Sequence, residues 1–167
     1  EQYRLTRLEI DLDVIARNAR LLRARTPAQA KMMAVVKADA YGHGAVEVSR
    51  AALANGADAL AVAIPEEGAA LREAGIEAPI LVLGGVNAAG AEADVQFGLT
   101  QTVYDERTVE NLQSAAQRLG KTAAAHLKID SGMGRIGVRT EEEPRRVLAA
   151  IEAAPRVKLT GAFTHFA

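Results

Sequence analysis

A lysine amine presented at the end of an apolar strand can attack a carbonyl and form an imine, and the segment VVKADAYGHG (residues 35–44) puts Lys37 in that setting. In parallel α/β folds, ligands meet the protein at the carboxyl ends of the strands, which is where this lysine falls. Burial of an amine in general favours its neutral, nucleophilic form. The same residues also suit a lysine whose head group snorkels to the surface, and the local pattern leaves both readings open. Tyr41 can offer its phenol to a ligand phosphate at the start of the following helix, where free backbone N–H groups favour an anion. Packing is the plainer role for a tyrosine in a turn. His43, between Gly42 and Gly44, reads as a turn residue.

A second segment, LKIDSGMGRIG (residues 127–137), sets Lys128 at another strand end before a loop punctuated by glycines that carries Arg135. So many glycines imply a backbone that turns sharply or lets a ligand come close. Arg135 has the permanent charge and planar fork of a fixed donor to an oxyanion or phenolate. An ordinary ion pair of Lys128 or Arg135 with Asp130, or with the acidic run 141–143, has equal weight. That run itself reads as the first turn of a helix. The third feature is His165 in GAFTHFA, where a structural histidine is the commoner case. Taken together, Lys37, Lys128 and His165 make three polar strand ends on one side of a sheet, a stronger pocket hypothesis than any one of them.

The elements that must position these residues alternate. Short apolar runs at 32–37, 59–64, 80–83, 101–104, 124–129 and 157–163 read as strands, and amphipathic stretches at 13–25, 45–54, 65–74, 88–97, 106–119 and 142–153 read as helices. Pro65 with Glu66 and Glu67 marks a helix start, and Gly56, Gly75 and Gly120 mark helix ends. Repeated βα units imply a parallel sheet, and about six strands are too few to close a (β/α)8 barrel. Two architectures follow: an open doubly wound sheet, or a partial TIM barrel of about six parallel strands with flanking helices, truncated before its last strands. The strand pattern favours the first slightly. The stop at THFA directly after an apolar strand favours the second, with residues 1–167 as one incomplete barrel domain and an apolar edge expected to drive self-association.

Composition narrows the function. Twenty Lys and Arg against 21 Asp and Glu give a net charge of −1, so charge offers no argument for nucleic acid or an anionic membrane. With no cysteine, disulfides and thiolate metal sites are excluded, and no metal is expected. The charged opening EQYRLTRLEIDLDVIARNAR has no apolar stretch of the kind a secretion signal or spanning helix needs. A cytoplasmic protein acting on a small molecule is the expectation.

With these residues in hand, VVKADAYGHG resembles the cofactor-lysine signature of the alanine racemases. LKIDSGMGRIG, the terminal THFA and the opening EIDLDVIARNARLLR are similar to other segments of that family, so the likeness runs over essentially the whole chain. The resemblance implies an isomerase that interconverts L-alanine and D-alanine with pyridoxal 5'-phosphate, supplying D-alanine for cell-wall peptidoglycan, and that works as a homodimer. It implies that Lys37 carries the cofactor as a Schiff base and acts as one of two catalytic acid/base groups, and that Tyr41 helps hold the phosphate. It further implies that Leu83 packs beside the cofactor, that Lys128 is a carbamylated lysine orienting Arg135, that Arg135 reaches the cofactor phenolic oxygen, and that His165 lies against the pyridine ring. The family's later barrel strands, its C-terminal β domain and its opposite-face tyrosine have no counterpart here; Tyr3 and Tyr104 do not match that tyrosine's context. A fragment inactive or nearly so by itself is therefore expected. The alternatives are a racemase of another amino acid, a non-catalytic barrel protein that binds pyridoxal phosphate, and a structural fragment that binds no cofactor.

Overall fold

The computed structural model describes residues 6–167, so Tyr3 lies outside the described residues. Helix α1 (Leu12–Arg25) starts where the Asp11 carboxylate accepts the Asp13 and Val14 N–H groups at 2.9 and 3.1 Å, a side-chain cap on otherwise unpaired donors. There follow β1 (Met33–Val35), α2 (Lys37–Gly42), α3 (Ala45–Ala54), β2 (Ala59–Val62), α4 (Pro65–Glu73), β3 (Ile80–Val82), α5 (Ala88–Phe97), β4 (Thr100–Val103), α6 (Glu106–Leu119), β5 (Ala123–Ile129), α7 (Glu142–Glu152) and β6 (Val157–Thr164). Asn87 and Asp105 cap α5 and α6 through the Gly90 and Thr108 amides, Pro65 opens α4, and Gly120 ends α6 in the left-handed region at φ 65°. The helices read from periodicity agree with these to within a residue at each end.

All six strands are parallel and lie in sequence order, β1-β2-β3-β4-β5-β6. A doubly wound sheet reverses its strand order at a switch point, and this sheet has none, so the barrel architecture is the correct one of the two. Each crossover returns to the neighbouring strand, and successive helices α4, α5, α6 and α7 pack side by side. Strands β2 and β3 are buried on both faces, which accounts for their unbroken apolar runs. One core cluster, with Leu60, Val62, Leu71 and Ile80, lies under β1–β3. A second, with Val103, Leu112, Leu127 and Val147, lies under β4–β6. Each fully buried side chain of this size contributes about 1.5–3 kcal/mol by leaving water.

The two edges, β1 and β6, expose apolar side chains, with Val35 44% and Leu159 39% accessible. One local reading needs correction. The first strand was expected to reach Lys37; it ends at Val35, and the chain turns at once into a left-handed coil.

Candidate active site

At the carboxyl end of the sheet lies a cavity of about 440 Å³ lined by Lys37, Tyr41, Leu83, Lys128, Arg135 and His165, together with Val35, Ile136 and Phe163. All six residues singled out from the sequence therefore meet in one place, brought by the ends of β1, β3, β5 and β6 and the segments that follow them. The volume falls in the range of small-ligand sites, about 300–1,000 Å³.

Lys37 and Tyr41 enter the cavity on an unusual backbone. Ala38, Asp39, Ala40 and Tyr41 have φ of 51°, 52°, 52° and 57°, a left-handed turn made entirely of residues with a Cβ. Each costs about 1–2 kcal/mol relative to the right-handed form, so the turn persists only because its surroundings hold it. The Ala40 N–H donates to Val36 O at 2.9 Å, the Gly44 N–H donates to Asp39 O at 3.0 Å, and the Asp39 carboxylate accepts the Ala45 N–H at 2.7 Å. At its start the Ala38 N–H donates to Glu67 at 2.7 Å. One turn of left-handed coil carries the Lys37 amine back to 6.0 Å from the Tyr41 ring centroid. Tyr41 was expected at the start of a helix; it belongs to this turn, and Asp39 already takes the first amide of α3. His43 closes the turn through Nδ1 contacts with Ala40 O and Tyr41 O, as a turn residue should.

Leu83 sits just past β3, followed by Gly84 and Gly85. A Cβ on Gly84 would stand 2.6 Å from Ala63 O, and one on Gly85 would collide with the Tyr104 hydroxyl. This wall of the cavity is therefore bare backbone, which a ligand can approach closely. The buried Gln101 side chain on β4 braces it from behind, its amide donating to Gly84 O at 2.7 Å.

Lys128 is only 4% exposed. Its ammonium donates to Ile129 O at 2.9 Å and lies 5.4 Å from the ring centroid of Phe163, its register partner on β6. The loop beyond it is organised by Asp130, whose carboxylate accepts the Gly132 and Gly134 N–H groups at 3.0 Å and the Arg139 Nε–H at 2.8 Å. The Gly134 and Gly132 amides, helped by Arg139, hold the Asp130 carboxyl at about 2. The ion pair of Asp130 with Lys128 or Arg135 that the spacing allowed is thus replaced by one with Arg139, and Arg135 has no ion-pair partner among the described residues. A Ser131–Thr164 hydroxyl contact ties this loop to the strand end beside His165.

The ionisable lining is Lys37, Lys128, Arg135, His165 and the Tyr41 phenol, and among the described residues no carboxylate lines the cavity. That donor set suits a ligand that is anionic and carries a carbonyl, and pyridoxal phosphate, a small aromatic aldehyde with a phosphate, fits it. Sequence reading missed Phe163, Ile136 and Glu67. Phe163 was legible as the residue opposite Lys128 only once the β5–β6 register was known, and Glu67 was taken solely as a helix-start acid.

Fold and site together define a barrel-type α/β protein with a lysine-lined pocket at its strand ends. The family model described as alanine racemase, N-terminal domain, matches residues 10–167. Alanine racemase 2 of Oceanobacillus iheyensis is 48% identical over 165 residues, and alanine racemase of Geobacillus stearothermophilus likewise 48%; each alignment takes in 99% of this chain and 42% of the relative. The crystal structure of alanine racemase from Bacillus anthracis with bound L-Ala-P superimposes with a TM-score of 0.92 at 40% identity, over 100% of this chain and 43% of that one. A histidine racemase from Leuconostoc mesenteroides superimposes with a TM-score of 0.90 at 25% identity, over 100% of this chain and 45% of that one. The chain belongs to the alanine racemase N-terminal domain family. It spans about two-fifths of the length of the relatives it matches, 42% for the two named.

Proposed function

We propose that this chain forms the cofactor-binding barrel portion of an alanine racemase, a cytoplasmic enzyme that uses pyridoxal 5'-phosphate to interconvert L-alanine and D-alanine for peptidoglycan. The observation that carries the reading is the convergence of Lys37, Tyr41, Leu83, Lys128, Arg135 and His165 on one cavity, in a chain 48% identical to alanine racemases. When bound, the cofactor supplies an electron sink that makes the amino-acid α-hydrogen acidic. The Lys37 amine anchors it and moves a proton at the α-carbon on one face. Tyr41 would hold the phosphate through its hydroxyl, and Arg135 would donate to the phenolic oxygen. Leu83 and the bare Gly84–Gly85 backbone line the cavity and would keep water from a bound cofactor, and His165, on the same lining, would face its ring. Lys128, if carbamylated, becomes the anion that Arg135 lacks among the described residues.

Racemisation needs a proton donor on each face, and the opposite-face group is supplied from outside the described residues, in a homo-oligomer with shared sites. Alone, the chain labilises the α-hydrogen slowly and does not racemise efficiently. Proton NMR of L-alanine and, separately, of D-alanine with the chain and pyridoxal phosphate in deuterated water checks this: exchange in one enantiomer that depends on Lys37 and outpaces formation of the other is expected. Exchange unchanged in Lys37→Ala contradicts the role of Lys37, and rapid racemisation contradicts the need for an outside group. The histidine racemase of similar backbone supports a second reading, a racemase of another amino acid, since the same framework serves a different side chain there.

A further inference from the structure

Glu67 stands at the third position of α4, where a glutamate ordinarily reaches back to the amide of its own helix cap. Here it reaches farther. Oε2 accepts the Ala63 N–H at 2.7 Å, and Oε1 crosses to the neighbouring strand end and accepts the Ala38 N–H at 2.7 Å. Both bonds are short and charge-assisted, the stronger class of backbone contact.

Their place in the sheet gives them meaning. The β1–β2 ladder runs as far as Val36 N–H on Ala61 O, at 2.8 Å. In a continuing parallel ladder the next rungs would put the Ala63 N–H on Val36 O and the Ala38 N–H on Ala63 O. Neither carbonyl is free for that: Val36 O takes the Ala40 N–H at 2.9 Å, the bond that starts the left-handed turn, and Ala63 O takes the Gly84 N–H at 3.0 Å. The two displaced amides both end on Glu67. Its carboxylate thus stands in for two rungs and lets the chain leave the sheet at Lys37.

We propose that Glu67 is a positioning residue for Lys37: it satisfies the strand-end amides so that residues 38–41 can take the left-handed conformation that aims the lysine and Tyr41 into the cavity. Glu67 does not line that cavity and acts through the backbone alone. The assignment rests on Lys37 being the cofactor anchor.

The test uses the full chain and the variants Glu67→Gln, Glu66→Gln and Val147→Ala, the last a core truncation distant from the cavity that controls for general loss of stability. Two quantities are read: the rate at which borohydride fixes pyridoxal phosphate to Lys37, by peptide mapping, and the Ala38 and Ala63 amide proton resonances. Glutamine keeps the length but offers one weaker acceptor, so the Lys37 trapping rate falls about tenfold, roughly the worth of one charge-assisted hydrogen bond. Both amide resonances move upfield in this variant alone, and Glu66→Gln and Val147→Ala trap at the wild-type rate. Unchanged trapping in Glu67→Gln overturns the proposal even if the amides move, as do unchanged amides or an equal loss of trapping in Val147→Ala. If wild-type chain traps nothing at Lys37, the cofactor reading has failed; amide shifts that still respond to Glu67→Gln then uphold the clamp, and unresponsive ones overturn it too.

Discussion

Asp130 pairs with Arg139, not with Arg135: the carboxylate meets Arg139 Nε at 2.8 Å while accepting the Gly132 and Gly134 amides. The pairing holds the glycine loop from within and leaves Arg135, the next residue after Gly134, to line the cavity. Because those amides and Arg139 hold the Asp130 carboxyl at about 2, below its ordinary 3.8, its contribution to stability is present above pH 3.8 and is lost as pH falls toward 2. Asp130→Asn is expected to flatten that acid limb in urea titrations at pH 2 to 5, relative to wild type. An unchanged acid limb would show that the loop does not depend on this charge.

Asp94 behaves in the opposite sense. It is fully buried on α5, neither carboxylate oxygen has a hydrogen-bond partner among the described residues, and burial, with the Glu66 charge adding to it, pushes its carboxyl up to about 7. The unfolded chain releases this proton near 3.8 and the folded chain keeps it to about 7, so stability falls across that interval as pH rises and stays low above it. Asp94→Asn removes the slope and raises stability at pH 8 by about 1–3 kcal/mol, since the amide avoids the charge but not the unpaired polar atoms. Denaturant midpoints at pH 5 and pH 8 check it; a variant no more stable at pH 8 counts against a buried, unpaired carboxyl.

The wall beside Leu83 tolerates no side chain at Gly84, where a Cβ would stand 2.6 Å from the Ala63 carbonyl oxygen. Gly84→Ala must therefore part the ends of β2 and β3, at a cost of about 1–3 kcal/mol. Chemical denaturation measures the loss. Wild-type stability in this variant would mean the strand ends have slack that the geometry denies them.

Much of this was legible beforehand, and for definite reasons. Lys37, Lys128 and His165 could be grouped because parallel strands all present their carboxyl ends to one side, so strand-end positions converge whatever the tertiary detail. Helices such as Glu106–Leu119 carry their own punctuation in Asp105 and Gly120. The local strand pattern slightly favours a doubly wound sheet; the stop at THFA and the family resemblance point to the barrel, and the sequential strand order bears that out. The left-handed turn at Ala38–Tyr41 was invisible because alanine, aspartate and tyrosine disfavour it; bonds to Val36 and Asp39 within the segment and the long-range bond to Glu67 hold it. Local propensity failed at the residues that aim Lys37, where a functional constraint overrides it.

Lys128 is nearly buried, with its ammonium on a backbone carbonyl and against an aromatic face, and Arg135 lines the same cavity. If Lys128 is carbamylated, incubation with 13C-labelled bicarbonate yields a carbamate resonance that vanishes in Lys128→Arg. A spectrum with no such resonance, or one that persists in the variant, removes Lys128 from the modified site.

Whether Lys37 anchors the cofactor can be measured directly. Pyridoxal phosphate is added to the chain, the adduct is fixed with borohydride, and the digest is mapped by mass spectrometry. The label is expected on the peptide that carries Lys37, and Lys37→Ala should abolish it. Label found on no lysine, or on Lys128 in place of Lys37, would contradict the account.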